Sequence, residues 1–156
     1  KGITFVTFQD ALENQQIPYI ELQTKPAPLN AVLWFANVET KDAFLIGDYS
    51  LFDTQPIGFG KHLKNHHLLG DLANDDKVKR LIKLTNGWYT VSQKDGKTYL
   101  NDLRFGLLST DITKQAYVFS FLLDQTGEEL VITENKKRPE DAAALLGNLW
   151  LRIKGN

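Results

Sequence analysis

The stretch Trp88-Tyr89-Thr90-Val91-Ser92-Gln93-Lys94-Asp95-Gly96-Lys97-Thr98-Tyr99-Leu100 decides the class of fold. Aromatic and β-branched residues, which are typical of strands, lie on both sides of Lys94-Asp95-Gly96, and that tripeptide favours a tight turn. We therefore predict a hairpin made of residues 88–92 and 98–105. Its strands must be antiparallel, because parallel neighbours need a long crossover connection.

Two more strand pairs with short connections predict two more hairpins. They are residues 31–39 with 43–53, around Thr40-Lys41-Asp42, and residues 117–123 with 129–133, around Gln125-Thr126-Gly127. Residues 19–24 alternate and add a further strand. With helices between them, these segments predict an α+β fold with one antiparallel sheet of about six or seven strands and three or four helices.

Helical periodicity marks several of the remaining segments. Residues 4–16 carry one apolar stripe and end before Pro18, and residues 58–72 are predicted as a loop with a short helix. Asn74 is placed to cap a helix over residues 75–85, which Asn86-Gly87 ends in the left-handed conformation.

The last predicted helix begins at Pro139, because proline is favoured in a first turn. Its apolar residues recur at helical spacing through Leu146, Trp150 and Ile153. We expect this stripe to cover one face of the sheet.

Length and composition predict that residues 1–156 form a single soluble domain. The net charge of −1 gives no field that would attract nucleic acid. The chain has no cysteine, which excludes disulfides, thiol nucleophiles and cysteine-ligated metals. It also has no methionine, so we expect it to be a fragment of a longer protein.

A pair of histidines is the first candidate for chemistry. If the segment were helical, His62 and His66 would share a face at a spacing that can chelate one metal, with Asp71 as the nearest acid. The alternative is a polar surface loop, basic at Lys61 and Lys64. A zinc-protease helix would need glutamate directly after the first histidine, and Leu63 stands there.

Asp102 and Arg104 are the second candidate, because residues two apart on a strand point to the same face. They form either an ion pair at the rim of the sheet or part of a pocket in which arginine grips a carboxylate or phosphate. Asp48 and Ser50 lie near a strand end, but no histidine is placed by sequence to complete a triad with them.

Several of these segments together resemble, in order, the soluble C-terminal region of the predicted membrane-bound metal-dependent hydrolases, which are bacterial inner-membrane proteins. The resemblance rests on Lys25-Pro26-Ala27-Pro28-Leu29-Asn30-Ala31-Val32-Leu33-Trp34, Gly47-Asp48-Tyr49-Ser50-Leu51-Phe52-Asp53, Asn86-Gly87-Trp88-Tyr89, Asp102-Leu103-Arg104-Phe105-Gly106 and Tyr117-Val118-Phe119-Ser120-Phe121. It implies that the divalent metal belongs to the missing N-terminal, membrane-embedded half. No catalytic residue and no cofactor are therefore assigned to this chain.

The resemblance suggests that residues from neighbouring hairpins converge on one ligand-binding cleft. These candidates are Trp34, Tyr49, Asp53, Asp102 and Arg104. The alternative is that they pin the sheet as a packed and polar network. The expected function is a non-catalytic accessory domain that binds a small ligand or a protein and lies on the cytoplasmic side of the inner membrane. The alternatives are a self-contained metal-dependent hydrolase using His62, His66 and an acid, and a structural or oligomerisation module.

Overall fold

A computed structural model describes residues 2–27, 31–109, 111–136 and 142–156 of the chain. In chain order the elements are α1 (Gly2–Asn14), β1 (Glu21–Pro26), β2 (Leu33–Glu39), β3 (Ala43–Ser50), β4 (Phe59–Leu63), a 3-10 helix (His66–Asn74), α2 (Asp76–Leu84), β5 (Tyr89–Lys94), β6 (Lys97–Leu107), β7 (Tyr117–Asp124), β8 (Val131–Lys136) and α3 (Ala142–Ile153). The α+β class is confirmed. The single sheet of six or seven strands is wrong, because the strands form two sheets of four.

The chain divides into two compact units. The first contains Lys1–Leu63, Ser109–Lys114 and Glu140–Asn156, and the second contains Lys64–Leu108 and Gln115–Pro139. Each unit holds one antiparallel sheet whose strands follow one another in chain order, β1-β2-β3-β4 and β5-β6-β7-β8. That residues 1–156 act as a single domain stays a prediction.

In the first unit, α1 packs on one face of its sheet. Phe8 and Leu12 are fully buried at helical spacing, and Pro18 follows the helix as predicted. They share a core with alternate residues of the strands, because side chains two apart on a strand point to one face. The buried members of this core are Phe8, Leu12, Leu22, Trp34, Ala36, Val38, Leu45 and Ile57.

In the second unit, the 3-10 helix and α2 supply the apolar cover of the sheet. The buried core is Leu69, Leu72, Val78, Leu81, Tyr89, Val91, Leu100, Leu123 and Leu130. Val78 and Leu81 belong to the stripe of α2 that the sequence predicts. The β5–β6 turn also follows the prediction, since Lys94 pairs with Lys97 across Asp95 and Gly96, which have φ of 53° and 73°.

Residues 58–72 contain the last strand of the first sheet and most of the 3-10 helix of the second unit. The predicted loop with a short helix contains strand β4, which pairs with β3 in the register Gly47 to Phe59, and then the 3-10 helix. That helix is kinked at Gly70, where φ is 52° and ψ is −129°. Hydrophobic alternation identifies strands, but it does not state which strands share a sheet, and this short, polar β4 carries little alternation.

Two helix predictions need correction. The cap of α2 is Asp75, one residue later than predicted, and its carboxylate accepts hydrogen bonds from Lys77 N at 2.8 Å and Val78 N at 3.4 Å. In α3, Leu146 and Trp150 are 65% and 59% exposed, so the predicted stripe does not cover the sheet there. Pro28 and Pro139 lie outside the described residues. Within the described ranges, no helix combines the length and the apolar character needed to cross a membrane.

Candidate functional site

A groove of about 590 Å³ opens in the first unit. It lies where the segment after α1, the β2–β3 turn and β4 meet. Its lining is mostly apolar and includes Ile17, Pro18, Tyr19, Ile20, Ala43, Leu45 and Phe59. The charged lining residues are Lys41, Asp42 and Lys61, all of which are exposed. This composition suits a ligand that is apolar along most of its length and polar at one end. A few charged groups in the groove can orient such a ligand.

Hydrogen bonds within the chain fix both sides of this groove. After α1, the Gln15 side-chain amide donates to the Ile57 carbonyl at 2.7 Å, and Ile17 N donates to Leu12 O at 2.9 Å. In the β2–β3 turn, Thr40 Oγ1 donates to Ala43 O at 2.8 Å. The charged side chains of the lining are those of Lys41, Asp42 and Lys61.

Trp34 and Tyr49, two of the predicted ligand residues, lie in the core beside α1. They are paired across β2 and β3, and Trp34 is 8% exposed. Trp34 Nε1 donates to Ala31 O at 2.8 Å. The Tyr49 ring meets the Phe8 ring edge-on, with centroids 6.1 Å apart and an angle of 80° between planes. The Phe8–Tyr49 contact joins α1 to the sheet, and Trp34 and Tyr49 both pack in the core of the first unit.

Asp53, the third candidate, is bound by an arginine that the sequence did not point to. Arg152, in the last turn of α3, donates from Nη1 to Asp53 Oδ1 at 2.7 Å and from Nη2 to Asp53 Oδ2 at 2.6 Å. It also donates from Nε to Asp48 Oδ2 at 2.9 Å. One guanidinium thus joins two carboxylates near the end of β3. A local sequence pattern could not predict this contact, because the arginine is far from both aspartates in the sequence.

The electrostatics of this cluster keep it ionised. Burial alone would raise the pKa of Asp53, but hydrogen bonds from Arg152, Ser50 N and Asn156 N, together with the arginine charge, hold it below its ordinary value of 3.8. Burial acts against the charged form of Arg152, yet the bonds and charges of Asp53 and Asp48 raise its pKa. A planar guanidinium suits this double contact, because its donors are arranged in a rigid fork.

Ser50 takes part in the same structural cluster. Its hydroxyl is fully buried and donates to the Ile153 carbonyl at 2.6 Å. Its backbone N donates to Asp53 Oδ2 at 2.9 Å. Asp48 faces Arg152 rather than a histidine. Ser50 and Asp48 therefore tie the strand end to α3, and their contacts do not arrange a nucleophile with a base.

Asp102 and Arg104 meet on β6 in the second unit, as their strand spacing predicts. Arg104 donates from Nε to Asp102 Oδ1 at 3.1 Å and from Nη2 to Asp102 Oδ2 at 2.8 Å. The Asp102 side chain is 2% exposed and that of Arg104 35% exposed. The hydrogen bond to Asp102 raises the pKa of Arg104. The candidate cleft residues are therefore divided, with Trp34, Tyr49 and Asp53 in the first unit and this pair in the second.

The two candidate metal ligands do not lie on one helix. His62 belongs to strand β4 and is fully buried, and its Nε2 lies 2.7 Å from the Ile112 carbonyl oxygen. His66 begins the 3-10 helix, stacks on the Tyr89 ring at 3.9 Å and 6°, and places Nε2 2.8 Å from Tyr89 O. The helical spacing that suggested chelation is absent. Among the described residues, no group of three or more His, Cys, Asp or Glu is arranged to hold a metal.

His62 sits beneath a backbone crossing. Burial lowers the pKa of its imidazole, and the hydrogen bond to the Ile112 carbonyl only partly offsets this effect. Since a carbonyl oxygen only accepts, Nε2 must carry the proton of the neutral ring. A Cβ added at Gly60 would overlap the backbone of Ile112, so this glycine lets residues 111–113 cross directly over β4.

A buried amide network is a further feature that the sequence did not indicate. Asn101 Nδ2 donates to Thr90 Oγ1 at 3.2 Å and to Ser92 Oγ at 3.1 Å, and its Oδ1 accepts from Ser120 Oγ at 2.7 Å. Asn101 is 3% exposed. These bonds cross three neighbouring strands of the second sheet, so the network fixes their register.

Comparisons with known proteins leave the family undefined. No family model matches the chain, and no curated protein and no solved structure matches it either. The resemblance to the membrane-bound hydrolases therefore remains a hypothesis that rests on the quoted motifs.

Proposed function

We propose that the chain is a non-catalytic binding domain and that the groove of the first unit is its ligand site. The observation that carries this proposal is a groove of about 590 Å³ with an apolar lining and three charged residues. Lys41 and Lys61 outnumber Asp42, so an apolar ligand with an anionic end matches the lining best.

The polar candidates elsewhere support binding rather than catalysis. Asp53 and Asp48 are bonded to Arg152, and Asp102 is bonded to Arg104. A general base or nucleophile has to reach substrate, whereas these carboxylates already serve as acceptors of structural hydrogen bonds. These hydrogen bonds give the carboxylates a structural role and assign them no reaction.

The wider role follows the resemblance. We infer an accessory domain of a membrane-bound metal-dependent hydrolase of the bacterial inner membrane, with the metal and the chemistry in another part of that protein. In this role the groove would present a small amphipathic ligand or a protein segment to the parent enzyme on the cytoplasmic side.

Binding can be tested with dodecanoate, a simple apolar chain with a carboxylate, below its micelle-forming concentration. We expect chemical-shift changes confined to groove residues such as Ile20 and Lys61. Lys61→Glu should weaken binding about two- to fivefold, the range of an exposed ion pair. Lys79→Glu is the matched control, because Lys79 is also exposed but lies on α2 in the second unit.

Two outcomes would contradict the proposal. Equal affinity for dodecanoate and for dodecyltrimethylammonium would show that the lysines do not select an anionic ligand. Turnover of ester or phosphate substrates with added Mg²⁺, Mn²⁺ or Zn²⁺, accompanied by bound metal that disappears in His62→Gln/His66→Gln, would favour the self-contained hydrolase instead.

A further inference from the structure

The groove of the first unit has two different ends, and the register of β3 with β4 places its lining residues in order between them. Leu45 lies opposite Lys61, and Gly47 lies opposite Phe59. Side chains two apart on a strand point to one face, so Lys61 and Phe59 follow one another along the same side of β4. Starting from the charged β2–β3 turn, the lining therefore passes Lys61 first and reaches Phe59 last.

The opposite wall of the groove, residues 15–20, spans the same two ends. Ile20 N donates to Glu39 O at 2.7 Å, beside the β2–β3 turn. At the other end, the Gln15 side-chain amide donates to the Ile57 carbonyl at 2.7 Å, two residues before Phe59. The Gln15 bond joins the two walls. The groove thus has an apolar end that the chain bridges and a charged end at an exposed turn.

The aromatic ring at the bridged end lies against a glycine. A Cβ added at Gly47 would lie 2.8 Å from Cδ1 and from Cε1 of the Phe59 ring. Carbon atoms that are not bonded to each other prefer a separation of about 3.5–4.0 Å. A methyl group at residue 47 would therefore push the ring away from β3. The missing side chain of Gly47 fixes the position that the Phe59 ring takes in the groove.

We propose that Phe59, seated on Gly47, is the stop for the apolar tail of the ligand, so that the groove selects its ligands by chain length. This inference rests on the proposed function of the groove. The ligand class is an unbranched carboxylate. Its charged end lies by Lys41 and Lys61, and its methyl end meets the Phe59 ring.

The length of the groove gives the length of the tail. Gly47 lies four residues after Ala43, the first residue of β3, which is about 13 Å along a strand. With carbon–carbon bonds of about 1.5 Å in a staggered chain, this distance holds a straight tail of about ten carbon atoms. The carboxylate then lies beyond Ala43, at the charged turn.

The test measures the Kd of the whole chain for octanoate, decanoate, dodecanoate and tetradecanoate, each below its micelle-forming concentration. We expect affinity to rise by up to about fourfold for each methylene that the groove buries. The rise should continue to dodecanoate and stop there, so that tetradecanoate binds no more tightly. Nuclear Overhauser contacts should join the ligand methyl group to the Phe59 ring.

Two variants should move the stop in opposite directions. Phe59→Ala removes the ring, so tetradecanoate should bind more tightly than dodecanoate. Gly47→Ala pushes the ring into the groove, so the rise in affinity should end at a shorter chain and dodecanoate should bind no more tightly than decanoate. Gly58→Ala is the matched control, because nothing lies within 4 Å of a Cβ added there. It should keep the order of affinities of the unaltered chain.

Three results would overturn the inference. Affinity that keeps rising through tetradecanoate in the unaltered chain would show that the groove has no stop. An unchanged limit in both variants would show that Phe59 is not the stop. In these two cases the ligand still binds, and the proposed function stands.

The third result is an absence of chemical-shift changes in the groove with every member of the series. It would contradict the proposed function itself, and the inference with it. Circular dichroism shows whether each variant is folded. If Phe59→Ala does not fold, Gly47→Ala decides alone, since it needs only a movement of the ring.

Discussion

Arg152 grips Asp53 with both ends of its guanidinium, since Nη1 donates to Oδ1 at 2.7 Å and Nη2 donates to Oδ2 at 2.6 Å. The Asp53 side chain is 2% exposed and that of Arg152 17% exposed. Breaking one partner of such a pair leaves the other poorly solvated, so the contact should matter more than an ion pair on the surface.

We predict that Asp53→Asn lowers the free energy of unfolding by about 2–3 kcal/mol at neutral pH. The replacement keeps the shape of the side chain but removes its charge. Urea denaturation followed by circular dichroism measures the loss. Asp10→Asn, at an exposed position of α1, is the control and should change stability by less than about 0.5 kcal/mol.

The effect of Asp53→Asn should also depend on pH. The pKa of Asp53 in the folded chain lies below its ordinary value of 3.8, so its contribution is present above that value and is lost as pH falls through the folded pKa. The stability difference between the two proteins should therefore shrink below about pH 4. A difference that stays constant down to pH 2 would show that the carboxylate charge is not its cause.

His62 should make the chain less stable in mild acid. Its pKa is lowered in the folded chain, so below about pH 6.5 the unfolded chain takes up a proton that the folded chain refuses. Stability should fall as pH drops through this range, by at most about 1.4 kcal/mol per pH unit. His62→Gln should flatten the dependence while keeping an amide donor for the Ile112 carbonyl. An unchanged slope between pH 7.5 and 5.5 would rule out His62 as its source.

Gly60 and Gly58 offer a matched pair of substitutions. A Cβ at residue 60 would overlap the Ile112 backbone, whereas at residue 58 nothing lies within 4 Å of an added Cβ. Gly60→Ala should therefore destabilise the chain by about 2 kcal/mol or more, and Gly58→Ala should change stability by less than about 1 kcal/mol. Thermal melts measure the stability of both variants. Equal effects would contradict the close crossing of residues 111–113 over β4.

The cap of α2 can be assigned by another pair of variants. Asp75→Ala should cost about 1 kcal/mol, because the carboxylate accepts from the backbone N of Lys77 and Val78. Asn74→Ala should be close to neutral, since the cap position belongs to the next residue. Urea midpoints measure both. A larger effect at Asn74 would show that Asn74 caps the helix, as the sequence predicts.

Local features of the fold were predictable because local chemistry decides them. The positive φ values at Asp95 and Gly96 follow from a two-residue hairpin turn, and those at Asn86 and Gly87, 54° and 83°, follow from the end of a helix. The apolar periodicity likewise identifies Phe8 and Leu12 of α1 and Val78 and Leu81 of α2 as buried, although it misses the buried Thr4. Each of these signals acts over a few residues, which is the range that a sequence pattern can show.

The features that sequence reasoning missed depend on distant partners. The residues beside Arg152 in the sequence do not indicate that it binds Asp48 and Asp53. Those beside Gly60 do not indicate that the backbone of Ile112 lies against it. The candidate cleft depends on distant partners too, since the strands that carry Trp34 and Asp102 belong to two different sheets. Assigning a strand to a sheet requires knowing its neighbours, and hydrophobic alternation carries no such information.

The division of the chain has a consequence for its synthesis. Asp48 and Asp53 leave the ribosome early, but their partner Arg152 is translated only after the complete sheet of the second unit. During synthesis, the two carboxylates of the first unit therefore lack their arginine partner while roughly a hundred further residues are translated. At ordinary elongation rates this takes several seconds or more. A nascent chain arrested before residue 152 should be more sensitive to protease in its first sheet than the released protein.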